Sequence, residues 1–334
     1  MKLTPGIQAA RFSPDMPPLL LVVIDTEEEF DWSAPFNRES RSVTCIEEQH
    51  HAQRVFEAHN LVPTYVVDYP VATTPSSYAI FREWLTAGRC LVGAHLHPWV
   101  NPPDEEEVSA PNSYPGNLPA DLEREKLARL TEAITANIGQ RPIIYKAGRY
   151  GLGPHTAAAL EALGYEIDLS VLASTDLGED GGPDFRGYPM EPYWFGSDGG
   201  LFEVPLTRGY PGMLGPLAEP LYQRICGPLG RKLHLPGIAA RLGLAERIHL
   251  TPEGISLEDN KRLIRYLVAK GQKVFTYAYH SSSLLPGGSP YVKTREDRAS
   301  FVESIDSFLR FFQREIGGRW TTPLEIRSLA SDPR

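Results

Sequence analysis

A single barrel-like α/β domain is the fold this sequence predicts, and three observations carry that reading. Seven short apolar runs, rich in β-branched and aromatic residues, recur between Leu19 and Tyr279. Amphipathic helical stretches lie between them, and such an alternation builds a parallel sheet, open or closed. Side chains suited to catalysis follow both the first and the last run, so the two ends of the sheet are needed in one site.

The expected strands are Leu19–Asp25, Val62–Asp68, Leu91–His95, Ile143–Lys146, Tyr165–Ser170, Phe202–Leu206 and Lys273–Tyr279. Expected helices cover 45–60, 76–88, 121–138, 154–164 and 257–271. Pro154 suits a first helical position, and Gly88, Gly164 and Gly271 suit helix stops. Residues 296–317 form a long amphipathic pattern with Phe301, Ile305, Phe308 and Phe312 on one stripe, as core packing requires. The stretch 207–250 breaks the rhythm. It is Gly/Pro-rich, carries a short helical pattern at 236–246, and reads as an insertion into the domain. The domain proper then spans 19–320, with an N-terminal extension at 1–18 and a tail at 321–334.

Composition excludes several classes. Apolar residues are 42% and charged residues 22% of the 334, an ordinary globular balance that leaves no room for a disordered or fibrous chain. Gly and Pro together number 59, an excess that indicates many defined turns and long irregular loops on a scaffold. The net charge of −9, without a clustered Lys/Arg stripe, argues against a nucleic-acid-binding face. Three scattered cysteines without a Cys-x-x-Cys pair imply neither a disulfide framework nor a thiolate zinc site. No run is apolar and long enough for a transmembrane segment, and the first 18 residues carry no uninterrupted apolar core of a signal peptide, so a cytoplasmic location is expected. Nothing indicates the oligomeric state.

The chemistry concentrates at strand ends. The first run leads into Asp25-Thr26-Glu27-Glu28-Glu29-Phe30-Asp31-Trp32. Residues i and i+2 of a strand share a face, so Asp25 and Glu27 can converge if the extended geometry persists. The third run leads into His95-Leu96-His97, where the same spacing puts two imidazoles on one face, suited to one metal ion. One carboxylate and two imidazoles, with positions left for water, form the ligand set of catalytic zinc and related transition-metal hydrolases. The fourth run enters Lys146-Ala147-Gly148-Arg149-Tyr150-Gly151, where Arg149 could hold Asp25 ionised through a charge-assisted hydrogen bond. His280, after the last run, is placed for general acid work.

In this order, together with Gly164-Tyr165-Glu166-Ile167-Asp168-Leu169-Ser170 and the late His280-Ser281-Ser282-Ser283-Leu284-Leu285-Pro286-Gly287, the motifs resemble the polysaccharide deacetylases of the NodB-homology superfamily, the family 4 carbohydrate esterases. The resemblance covers about residues 19–315. It implies a distorted (β/α)7-type barrel and metal-dependent removal of an N-acetyl group from an amino sugar or glycan. Matched residue by residue, it implies Asp25 as base, Glu27, His95 and His97 as metal ligands, Arg149 as tether of the base, Tyr150 as an oxyanion-hole amide and His280 as acid. Asp168 falls in the family's Asp-Ser-Ser region and is expected near substrate, and Trp32, Trp99 and Tyr150 are candidates for an aromatic wall against a sugar ring.

Three motifs depart from the family, the third of them by lacking its proline. Its adjacent acid pair becomes Asp-Thr-Glu, so Glu28 or Glu29 could replace Glu27, and its wider histidine spacing becomes His-x-His. The implied cofactor is a divalent metal, zinc first, with cobalt, nickel or iron also suited to the donors. Other readings are another amide hydrolase on the same scaffold, a metal-free glycosidase using two of the carboxylates, and a catalytically degenerate glycan-binding protein. A lipid-linked or nucleotide-linked precursor sugar is the expected substrate source.

Overall fold

The computed structural model describes residues 6–331, apart from 32–33, 228–229 and 231. Its strands are β1 (Gln8–Ala9), β2 (Leu19–Thr26), β3 (Thr64–Val67), β4 (Leu91–Leu96), β5 (Ile144–Ala147), β6 (Ile167–Asp168), β7 (Tyr193–Phe195), β8 (Leu201–Glu203), β9 (Arg208–Gly209), β10 (Ile248–His249), β11 (Val274–His280) and β12 (Arg319–Trp320). The main sheet runs β1-β7-β8-β6-β5-β4-β3-β2-β11, with β12 paired to β2. From β8 to β11 every neighbour is parallel, and those seven strands are the seven apolar runs of the sequence. The five strands the sequence does not reveal are two or three residues long, too short for any periodicity to register.

The curled sheet is a distorted barrel whose inner and outer faces are both apolar. Leu19, Leu21 and Val23 of β2 point inward with Val66, Ile144, Ile167, Phe202, Val274 and Ala278. Leu20, Val22 and Ile24 point outward against the helices, with Tyr65, Tyr145, Phe275, Tyr277 and Phe308. A strand buried on both faces reads as continuous hydrophobic sequence, which is why LLLVVI carries no polar alternation. Between β11 and the chain after β8 no strand ladder among the described residues closes the circle. Thr276 bridges there instead, its N–H donating to Thr207 Oγ1 (2.8 Å) and its hydroxyl to the Pro205 carbonyl (3.0 Å).

The outer helices follow their sequence signals. Arg295–Arg314 starts on a capping box, Thr294 and Asp297, and buries Phe301, Ile305, Phe308 and Phe312. Gly88, Gly164 and Gly271 each stop a helix with positive φ. Pro154 is the exception: the helix there is Thr156–Ala162, and Pro154 occupies the turn before it.

Described residues on both flanks of the expected domain are also part of the fold. Gln8–Ala9 pairs with Tyr193–Trp194. The expected tail instead contains the helix Pro323–Leu329, capped by Thr322, which buries Ile326 against the inner core. Residues 207–250 form the small β9–β10 ribbon and the helices Ala218–Ile225 and Leu235–Arg241, around Tyr210, Ala218 and Ala245.

Candidate active site

Strand parity brings the site together. Because Leu19, Leu21 and Val23 face the barrel interior, Asp25 does as well, at the carboxyl end where the strand leaves the hydrophobic layer. The same parity turns His95 of β4, Lys146 of β5 and His280 of β11 toward the axis. A cavity of about 390 Å³ opens at this carboxyl end of the barrel, lined by Asp25, Glu27, His95, His97, Tyr150 and His280 among others.

Three donor atoms meet at its floor. His95 Nε2 and His97 Nε2 are 3.1 Å apart, and Glu27 Oε2 lies 3.4 and 3.3 Å from them. All three residues are buried. Each imidazole is oriented from behind. His95 Nδ1 donates to the Lys146 carbonyl (2.9 Å), and His97 Nδ1 donates to Glu28 Oε2 (2.8 Å), so both Nε2 lone pairs face Glu27. Two nitrogens and one oxygen at about 2.0–2.2 Å from a tetrahedral ion stand roughly 3.3 Å apart, so the donors fit a divalent cation in spacing and in type.

The other acids of the cluster have other work. Glu28 accepts from His97 and from Trp99 Nε1 (2.8 Å), while its backbone N–H donates to Asp68 Oδ2. Glu29 accepts from Ser42, Thr44 and the Cys45 N–H, closing the following loop. Glu27 is therefore the carboxylate of this run whose oxygen reaches both Nε2 atoms. Gly148 makes the close packing possible, since a Cβ there would come within 2.4 Å of the His97 ring and 2.5 Å of the Leu96 carbonyl.

Beside the triad, Lys146 Nζ donates to Asp25 at 2.5 Å, and Asp25 Oδ2 lies 3.7 Å from His280 Nε2. Burial alone would raise the Asp25 pKa, but Lys146, His95 and His280 outweigh it and hold the carboxyl below its usual range. Burial likewise opposes charge on His280. Glu253, whose Oε2 accepts from His280 Nδ1 at 2.8 Å, reverses that with help from Glu27 and Asp25, and His280 is raised to about 10. The imidazole stays protonated across the neutral range, with Nε2 turned toward Asp25 and the cavity.

This geometry rearranges several expectations. Arg149 does not reach Asp25. It donates to Ser113 Oγ (2.6 Å), pairs with Asp180, and stacks on Tyr114 at the rim, while Lys146 makes the ion pair with Asp25. Trp99 is buried and stacks on His97 with ring centroids 4.4 Å apart, so it supports a ligand from behind and offers no face to a sugar. Asp168 points outward from β6, accepting from Ser170, whose hydroxyl oxygen in turn accepts the Ala147 N–H, and it does not line the cavity. Trp32 lies outside the described residues. Tyr150 does line the cavity, and it and Arg149 both adopt positive φ, 60° and 53°.

Lys146 and Glu253 are the residues that sequence reasoning missed. Lys146 carried a signal, a cation at an inward position of a buried strand. Glu253, in a loop after the insertion, carried none.

No protein-family model and no curated protein sequence matches the chain. Solved structures do. A Mycobacterium smegmatis protein described as a polysaccharide deacetylase superposes with a TM-score of 0.56 at 16% identity, over 98% of this chain and 94% of its own. The fold is that of the polysaccharide deacetylases. A Parabacteroides distasonis protein described as a glycoside hydrolase/deacetylase gives 0.59 at 12% identity, over 95% of this chain and 72% of its own. The 4-α-glucanotransferase of Thermococcus litoralis gives 0.52 at 11%, covering 94% of this chain but 40% of that longer one. The deacetylase fold thus also occurs in a glycosyl-transfer enzyme, and the chemistry has to be argued from the side chains.

Proposed function

We propose that this protein is a metal-dependent hydrolase that removes an N-acetyl group from an amino sugar or glycan. The observation carrying the reading is the convergence of Glu27, His95 and His97 on one point beside an Asp25–Lys146 pair and a protonated His280. A metal-free glycosidase would leave that three-donor cluster without a purpose.

Glu27, His95 and His97 would hold a divalent cation, zinc first among cobalt, nickel and iron, and such an ion supplies Lewis acidity toward water and toward an amide carbonyl. Asp25, kept ionised by Lys146, accepts the proton of the attacking water. His280, kept protonated by Glu253, gives its Nε2 proton to the departing nitrogen. The backbone N–H of Tyr150 is the candidate donor to the carbonyl oxygen as it gains charge. Glu28 and Trp99 fix the His97 ring.

The test measures acetate released from N-acetylglucosamine oligomers by metal-loaded protein. Chelation should abolish release and added zinc or cobalt restore it. Asp25→Asn and His280→Ala should each lose about 10² to 10⁴ in rate with metal content intact. Full activity after exhaustive chelation, or in both variants, would overturn the assignment.

A further inference from the structure

The surface of the 207–250 insertion is unlike the rest of the molecule. Among the described residues, seven large apolar side chains stand exposed, and five of them fall here: Met213, Leu217, Leu233, Ile238 and Leu242, between 46% and 76% exposed. Single exposed apolar residues are ordinary, whereas such a concentration marks a contact surface. Three of these residues adjoin one another. Ile238 and Leu242 are one helical turn apart, joined by the Leu242 N–H to Ile238 carbonyl bond, and Met213 donates its N–H to Gly243 with its methyl against that glycine.

The charge is reversed too. Residues 207–250 hold six Lys/Arg and two Glu, net +4, while the remaining 27 Lys/Arg and 40 Asp/Glu leave net −13. Arg224, Lys232, Arg241 and Arg247 are exposed, and none pairs with a carboxylate among the described residues. Exposed apolar side chains interspersed in the chain with unneutralised cations complement one kind of surface, a bilayer with anionic headgroups, where the apolar groups enter the acyl boundary and the cations meet phosphate. No helix is long and apolar enough to cross a membrane, so the contact would be superficial.

We propose that the exposed apolar residues Met213, Leu217, Leu233, Ile238 and Leu242, with the cations Arg224, Lys232, Arg241 and Arg247, dock this protein on the surface of an anionic phospholipid bilayer. The insertion returns to the barrel through β10, whose His249, with Thr251 beyond it, lines a second cavity beside Asp25 and His280, and Glu253 borders both cavities. Docking therefore holds the catalytic mouth near the headgroups. The inference stands on the surface alone and is read without turnover, so its failure and a failure of the deacetylase reading are separate results.

The experiment is co-sedimentation of the full chain with large vesicles, either phosphatidylglycerol and phosphatidylcholine in equal parts or phosphatidylcholine alone. Binding is expected to the anionic vesicles, at least about tenfold tighter than to the neutral ones, and weaker in high salt. Arg224→Gln/Lys232→Gln/Arg241→Gln should weaken it about a hundredfold, near fivefold per charge, and Ile238→Glu/Leu242→Glu should abolish it. All five positions are exposed, so thermal unfolding and hydrolysis of a soluble oligosaccharide should be unchanged in both variants. Three results would overturn the proposal: wild-type protein left in the supernatant with both vesicles, either variant binding within threefold of wild type, or a solution dimer that Ile238→Glu/Leu242→Glu converts to monomer, which would give the face to a second copy.

Discussion

Two clusters of buried carboxylates, separated by three strands of the same sheet, behave in opposite ways. At the mouth, Asp25 and Glu27 face inward among Lys146, His95, His97 and His280, and both are held below their usual pKa range although burial opposes it. On the outer face of the wall, Asp168 of β6 sits beside Glu203 of β8, paired in register. Burial pushes both of these upward, Asp168 raises Glu203 further, and hydrogen bonds from Glu203 and Ser170 only partly lower Asp168, so the pair keeps a proton. Both clusters are buried and acidic, and what differs is strand parity. One face of β5 presents Lys146, while the other presents Tyr145. A cation close by turns a buried acid into an available base, whereas an aromatic neighbour leaves it a structural hydrogen-bonding group.

The sharpest way to break that contrast is to exchange damage between the clusters. His95→Ala or Glu27→Ala should lose bound metal and at least about a thousandfold in kcat, measured by metal analysis and acetate release. Asp168→Asn should leave kcat within about threefold. A hundredfold loss in Asp168→Asn would move Asp168 into the chemistry and erase the distinction.

Next in size is the comparison of the two cations near Asp25. Lys146→Met removes the partner of a buried carboxylate and should cost about 10² to 10³ in rate with the acid limb of the pH profile moved upward, since Asp25 then needs a higher pH to ionise. Arg149→Met, at the rim, should cost less than about tenfold and act through KM. Equal effects on kcat would show that Arg149 serves Asp25 after all.

On stability the order reverses. Asp168→Ala strips the brace from Ser170 and the end of β5, and should lower unfolding free energy by about 1–3 kcal/mol in chemical denaturation, with activity per folded molecule kept. Glu253→Gln removes the carboxylate that raises His280 to about 10. Its alkaline limb should fall by about one to two pH units, and a limb left in place would identify a different acid.

The last comparison concerns another buried acid, Glu123, in the outer layer against Thr156. Burial raises it to about 7, against a bonding contribution from Thr156. A folded pKa above the unfolded one means that the native state binds more protons between pH 4.5 and 7, so stability declines as pH rises through that window. The decline is at most about 3 kcal/mol. Glu123→Gln should flatten it, and a variant with the wild-type slope would assign the slope elsewhere.

Much of this is legible in the amino-acid sequence. All seven parallel strands, the Phe301–Phe312 stripe and the pairing of His95 with His97 follow from periods of 2 and 3.6, which hydrophobic burial writes directly into the chain. Asp25 and Glu27 were legible for the same reason. Roles that depend on a second strand were not. Arg149 stood near Asp25 in the motif order, but Lys146, three residues earlier, has the inward parity. Trp99 follows His97 by two residues and stacks behind it, and Asp168 sits one residue out of phase with the inward Ile167 and Leu169. Glu253 is brought to His280 by a loop, which has no period to read.

Strand β2 has one more implication, for amide exchange. It is laddered to β11 along Leu19–Asp25, to β3 along Val23–Thr26 and to β12 at Leu19–Leu20, and all eight of its residues are buried. Its N–H groups should open to deuterium only with global unfolding, whereas the loop holding Glu253 and the insertion before it can open locally. The proton acceptor thus rides on the slowest-exchanging segment of the chain and the acid's partner on a fast one. Mild denaturant should therefore silence the acid while the base stays in place.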